Sequence, residues 1–222
     1  MNIAAIMPCR GRVAQTVTNV RRLLATTGCD GLTLMCIGCK EETEVLRAVQ
    51  LVEQSDSRLI AVWGREQRLT YWQALREALL WVSPHAMIAT LANDLWACDD
   101  WLKEGVAEYR AHFGDGDGLL GFAGDGHGPQ HSCHFLISRA LLDRYGGWPV
   151  WYSHNFGDRE LCARAQADGL YAKAERAELE HCHPGRGLAE DDAVYQAGRA
   201  TYRQDEALFT ERRRAGWPPF EG

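Results

Sequence analysis

The first half of the chain alternates short, wholly apolar runs with stretches in which apolar residues recur every three or four positions. Ile3 to Met7, Leu32 to Ile37, Arg58 to Trp63 and Ala86 to Leu91 have the length and composition of buried strands. Between them, Val13, Val17, Val20 and Leu24, then Val45, Val49 and Val52, then Trp72, Leu75, Leu79 and Val82 each mark one face of a helix. Strands separated by crossover helices run parallel, and a parallel sheet is covered on both faces. The pattern therefore predicts an α/β fold with a mainly parallel central sheet flanked by helices. Asp99 and Asp100 occupy the N-cap position of a further helix, striped by Leu102, Val106, Tyr109 and Phe113.

The second half changes character. Leu119 to Ala123 and Phe135 to Ile137 read as strands, set among segments dense in Gly and Asp, 114–118 and 124–128, that read as mobile loops. Ser138 to Tyr145 is a short helix ended by Gly146-Gly147, Asp158 to Asp168 a longer one stopped by Gly169, and Tyr171 to Leu179 a polar strand. The stretch from Glu190 to Arg214 is polar and helix-forming, and closes on Trp217-Pro218-Pro219.

Composition narrows the class. With 222 residues, 46% hydrophobic and 24% charged, the chain can bury a real core, and disorder is excluded. The net charge of −6 supplies no global field for nucleic acid or an anionic membrane. No apolar run approaches the ~20 residues of a membrane span, and Met1-Asn2 offers no basic leader, so a cytoplasmic, soluble protein is expected. Its eight cysteines then read as reduced thiols. Cys36-Ile37-Gly38-Cys39 has redox or zinc spacing but lacks a second ligand pair, which favours a structural role.

Open parallel sheets bind ligands beyond the carboxyl ends of their strands. The polar residues there are Arg10 and Arg12 after the first strand, Arg65 and Arg68 after the third, and Asn93 and Asp94 after the fourth. Paired arginines beside a carboxylate suit a diphosphate with a divalent cation. No GxGxxG follows the first strand and no GxxxxGK[ST] occurs anywhere, so dinucleotide and P-loop binding lose their carrier motifs. His181 and His183 follow the last strand two residues apart, on one side of an extended chain. One Asp, one His and phosphate oxygens form a common donor set for Mn²⁺ or Mg²⁺. Asp158 falls in the first turn of its helix, where the dipole favours the ionised form of a base or a cap.

The order of these pieces resembles the GT-A glycosyltransferases of the large inverting, family-2-type group, over roughly residues 1–185. Ile3-Ala4-Ala5-Ile6-Met7-Pro8-Cys9-Arg10-Gly11-Arg12 is similar to their first strand and nucleotide loop. Leu91-Ala92-Asn93-Asp94-Leu95 stands where they carry a DxD metal motif. Gly146-Gly147-Trp148-Pro149, followed by Phe156-Gly157-Asp158-Arg159-Glu160-Leu161 and Arg164, resembles their GGWP and EDxDLxxR block, and His181-Cys182-His183 stands where they place a late metal-binding histidine.

The resemblance implies a GT-A, Rossmann-like domain over 1–185, with a nucleotide-sugar half (1–112) and an acceptor and catalytic half (113–185), then a helical extension over 186–222. It implies Asp158 as general base, and Asp94 with His181 or His183 around Mn²⁺ or Mg²⁺. Pro8, Arg10, Arg12, Arg68 and Asn93 would lie by the nucleotide sugar, a UDP-sugar first of all. Trp148, Trp151 and His154 would lie by the acceptor, which is a soluble glycan, a protein or a hydroxymethylated DNA base. The sequence departs from the family in three places: Ala92 and Asn93 replace the earlier DxD carboxylates, Gly38-Cys39-Lys40 lacks an acidic residue after the second strand, and Gly157 stands before Asp158 in place of Glu. Two other readings share the pattern: a metal-dependent nucleotidyltransferase, and a noncatalytic module binding a nucleotide sugar or nucleic acid. Arg186, Arg199, Arg203 and Arg212-Arg213-Arg214 make the C-terminal region locally basic, the first place to expect a DNA contact if the acceptor is DNA.

Overall fold

The computed structural model describes residues 2–63, 66–82 and 87–220. Arg65 and the expected start of the fourth strand at Ala86 lie outside them. The N-terminal half forms as its pattern predicts. Strands β1 (Ile3–Pro8), β2 (Leu32–Gly38), β3 (Leu59–Trp63) and β4 (Met87–Thr90) are joined through α1 (Val13–Ala25), α2 (Thr43–Glu53) and α3 (Tyr71–Val82). β1 pairs in parallel with both β2 and β4, and β2 with β3. Alternation along β1 splits its side chains between two cores: Ile3, Ala5 and Met7 join one, Ala4 and Ile6 the other. Both faces are apolar because helices cover both.

The second half makes the sheet mixed. It adds β5 (Leu95–Ala97), α4 (Trp101–Phe113), β6 (Leu119–Ala123), β7 (Phe135–Ser138), α5 (Arg139–Arg144), α6 (Gly157–Ala167) and β8 (Tyr171–His181). The strand order is β3-β2-β1-β4-β7-β6-β8-β5. β7 is antiparallel to β4 and β6, while β8 runs parallel to β6 and antiparallel to β5. The register of β8 on β6 breaks between Gly121 and Ala123, which stand opposite Lys173 and Glu178. The unpaired backbone at that break is satisfied by Glu108 of α4, whose buried carboxylate accepts from the amides of Glu175, Arg176 and Ala177 at 2.6, 2.8 and 3.1 Å. This is an α/β sheet of the GT-A, Rossmann-like kind.

Three local expectations are corrected. Asp100 stands at the start of α4 with φ 59°, but caps no amide, its carboxylate bonding Lys103 at 3.0 Å instead. Segment 124–128 is anchored. Asp125 within it is buried and bonded to Lys173, Ser132 and two backbone amides. The tail beyond residue 190 is more than a solvated helix. α7 (Ala193–Ala200) and α8 (Tyr202–Arg214) pack on the body through fully buried Asp205, which accepts from the amides of Ser153, His154 and Asn155 at 2.8–2.9 Å. Arg212, expected among the free basic charges, bonds buried Glu160 at 2.9 and 3.1 Å. Arg199 pairs with Asp191 at 2.6 Å.

Among the described residues, no helix is long and apolar enough to cross a membrane. All eight cysteines are free thiols, and Cys36 and Cys39 are both buried.

Candidate active site

A cleft of about 880 Å³ opens beyond the carboxyl ends of β1 and β4. Its first wall carries Pro8, Arg10, Arg12, Arg68, Asn93 and Asp94. Arg12 follows Gly11 in left-handed backbone (φ 52°), a conformation costly for a residue with a side chain and sustained here by its contacts. Its guanidinium bonds Asp192 in a fork at 2.6 and 2.8 Å, reaches Asp94 Oδ2 at 3.1 Å, and lies 3.8 Å above the Tyr195 ring. Tyr195 donates to the same Asp94 oxygen at 2.7 Å, and His181 Nε2 stands 3.5 Å from it. Burial opposes ionisation of Asp94, but His181, Tyr195 and Arg12 outweigh it and hold the carboxyl well below the usual carboxylate range. The second oxygen, Oδ1, is buried with no hydrogen-bond partner among the described residues.

Asn93 braces this wall, donating to Thr16 Oγ1 at 2.9 Å and Arg10 O at 3.2 Å. Burial, followed by the facing charge of Arg68, lowers the Arg10 guanidinium, whose Nε is buried without a partner. Two like charges crowded around an unpaired donor favour an incoming anion. Glu42, at the entrance to α2, accepts from the Gly11 amide at 2.8 Å and from Arg68 at 3.2 Å. It supplies the acidic group that the sequence lacks directly after β2.

Asp158 lies on a second wall, built by α6 and the loop before β7, in the first turn of α6, with its side chain 16% exposed. Gly157 precedes it for a steric reason: a Cβ there would meet the Trp72 ring at 2.4 Å, so the helix start can seat on Trp72 only without a side chain. His131 Nε2 lies 2.9 Å from Asp158 Oδ2. Burial opposes ionisation, yet the His131 contact, the Arg159 amide and the Cys133 thiol together hold Asp158 well below the usual range. His134 also lines the cleft. Neither of its ring nitrogens has a partner among the described residues, and burial, then the charge of His181, pushes it down to about 3, so it is neutral.

Asp94, Asp158, His181, His183, His154 and the five expected nucleotide residues therefore share one cleft. Within it, His183 turns aside: its Nδ1 accepts from the Gly185 amide at 3.0 Å, and its ring centre lies 5.4 Å from that of His181. The two tryptophans expected at the acceptor lie elsewhere. Trp148 is 2% exposed and packed in the core beside Trp72 and Phe135, and Trp151 is an exposed surface residue that is not among those lining the cleft. Sequence reasoning did not single out Glu42, His131, Cys133, His134, Asp192 or Tyr195. The dense run His131-Ser132-Cys133-His134 was the one local signal, since the others reach the cleft only through folding.

No protein-family model matches the sequence, and no curated protein matches it. Solved structures share the fold. A mannosyltransferase from Pyrobaculum calidifontis, solved with GDP-mannose and Mn²⁺, is 16% identical with TM-score 0.67, over 84% of this chain and 58% of its own. The catalytic domain of Drosophila β1,4-galactosyltransferase 7, solved with xylobiose, is 15% identical with TM-score 0.54, over 89% and 79%. A 4-diphosphocytidyl-2C-methyl-D-erythritol synthase from Anaerococcus prevotii is 12% identical with TM-score 0.55, over 80% and 90%. The chain thus spans less than two thirds of the mannosyltransferase. At these identities the likeness is one of fold, and chemistry is argued from the cleft.

Proposed function

We infer that the chain is a metal-dependent inverting glycosyltransferase moving a sugar from a nucleotide diphosphate sugar, a UDP-sugar first, to an acceptor hydroxyl. One observation carries this: two ionised carboxylates, Asp94 and Asp158, line one cleft together with the Arg10 guanidinium, whose Nε has no partner among the described residues. Arg10, Arg12 and Arg68 would bind the diphosphate, and Asn93 braces the loop that presents them.

The unpartnered Asp94 Oδ1 and the His181 imidazole form a donor set that fits Mn²⁺ or Mg²⁺. A cation held there supplies charge neutralisation for the departing diphosphate. Asp158, kept anionic and oriented by His131, accepts the acceptor's proton as its oxygen attacks the anomeric carbon. Asp125, the other carboxylate of this wall, is tied to Lys173, Ser132 and two amides, so it is not free to act as a nucleophile. A single displacement with inversion follows. With Arg199 and Arg212 paired internally, the tail presents less positive charge than its sequence promises, which supports a non-nucleic acceptor.

Incubation with a panel of nucleotide sugars and Mn²⁺ tests this without knowledge of the acceptor. Slow hydrolysis to free sugar and nucleoside diphosphate supports the transferase. Pyrophosphate released from a nucleoside triphosphate and a sugar phosphate marks a nucleotidyltransferase instead, and binding without turnover marks a noncatalytic module.

A further inference from the structure

Among the described residues, one group of His, Cys, Asp or Glu side chains brings three donor atoms within 4.8 Å of one another: His131, Cys133 and Asp158. It does not include Asp94, and it mixes imidazole, thiol and carboxylate, a softer set than Mn²⁺ or Mg²⁺ prefers. We propose that these three side chains form a second cation site, selective for Zn²⁺, with its open fourth position facing the cleft.

The surroundings hold the three donors in place. His131 and Cys133 are two residues apart in the loop before β7, and both bring their donor atoms to the first turn of α6 that carries Asp158. Buried Asp125 fixes the backbone beneath them, accepting from the Cys133 amide at 2.9 Å and the His127 amide at 3.0 Å. Lys173 ties Asp125 at 2.9 Å to the His131 carbonyl at 2.8 Å, and Ser132 bonds Asp125 at 2.8 Å. Such outer bonds orient ligands in built metal sites. Three protein ligands with one position open is the arrangement of a zinc site accessible to small molecules. On binding, Cys133 gives up its thiol proton to solvent. One dication, one thiolate, one carboxylate and one neutral imidazole then sum to zero charge, which suits a largely buried position.

If Asp158 is the base, Zn²⁺ at this site occupies it, and micromolar zinc opposes the same reaction that Mn²⁺ supports. That consequence rests on the proposed function, but the site itself does not. Titration of the intact, metal-free protein with Co²⁺ separates the two. The expected spectrum has a near-ultraviolet thiolate-to-cobalt charge-transfer band and intense visible bands of a tetrahedral centre, both removed by one equivalent of Zn²⁺. Cys133→Ser should abolish the charge-transfer band, Cys182→Ser should keep it, and Asp125→Asn should weaken Co²⁺ binding by about 10- to 100-fold. Circular dichroism confirms folding of each variant. A charge-transfer band that survives in folded Cys133→Ser, or no band in the wild type at saturating Co²⁺, overturns the site. A band present without any transferase activity leaves the site standing and removes the proposed function alone.

Discussion

The two walls of the cleft ionise their carboxylates by different means. Asp94 depends on partners from far along the chain, Arg12 at 82 positions and Tyr195 at 101, the latter on α7, which follows the last strand. Asp158 depends on a nearby loop, with His131 at 27 positions, and that loop is knit by its own buried Asp125. The first wall is completed by Asp192 and Tyr195 of the C-terminal segment, whereas the His131 contact of the second comes from within the α/β body; α8 braces the start of α6 as well, through Asp205 on the amides of 153–155 and Arg212 on Glu160. Loss of the Asp192 or Tyr195 contacts should therefore loosen metal and nucleotide binding and spare Asp158, while loss of the Asp158 carboxylate should stop chemistry and spare binding.

The largest effect belongs to Asp158→Asn. The amide keeps the size of the side chain, so the fold and nucleotide binding should persist while transfer falls by about 10²- to 10⁴-fold, measured as donor turnover at saturating donor. Activity within a few-fold of wild type would reduce Asp158 to a helix-capping residue. Next comes Asp205→Ala, which strands three part-buried amides at residues 153–155 and should cost about 3 kcal/mol in a urea unfolding experiment. An unchanged midpoint would show that the extension does not support the wall.

Tyr195→Phe removes only the hydroxyl that bonds Asp94 and the Cys182 carbonyl. A loss of about 1 kcal/mol in stability is expected, with weaker Mn²⁺-dependent nucleotide binding and no change in the His131 to Asp158 contact, readable from the His131 ring resonances. The smallest effect is pH-dependent. Asp192 is lowered to about 2, first by its bonds to Arg12, against about 3.9 for a free Asp. Because the folded value is the lower one, the pair stabilises the protein above about pH 4, and that contribution disappears as pH falls toward 2. The melting-temperature gap between wild type and Asp192→Asn should therefore be small at pH 7 and close by pH 2. A gap that widens on acidification contradicts the pairing.

The parallel half of the fold was legible because both faces of its strands are buried, so β1 to β4 announce themselves as continuous apolar runs. β5 did not, because its three residues, Leu95 to Ala97, carry too little pattern and exist as a strand only through pairing with β8. Asp94 and Asp158 stood out because each lies at a strong element boundary, and the fold brings both into one cleft. Trp148 misled because a tryptophan near a glycine pair reads equally as a sugar platform or as core, and here its ring fills space beside Trp72. The partners that tune the carboxylates were hidden for the same reason that the first wall is fragile: Asp192 and Tyr195 meet Arg12 and Asp94 only across long loops, and no local spacing encodes that meeting.

The most direct measurement is the thermal shift of the intact protein with UDP or GDP, in Mn²⁺ or in EDTA, for wild type and Asp94→Asn. Nucleotide at about 100 times its dissociation constant adds roughly 2.7 kcal/mol, or about 5–10 °C for a chain of this size. The wild type should show that rise with Mn²⁺ and little of it with EDTA, and Asp94→Asn should erase the difference. Equal shifts in Mn²⁺ and EDTA, or a metal-dependent shift that survives Asp94→Asn, would contradict a nucleotide diphosphate held through a cation on Asp94.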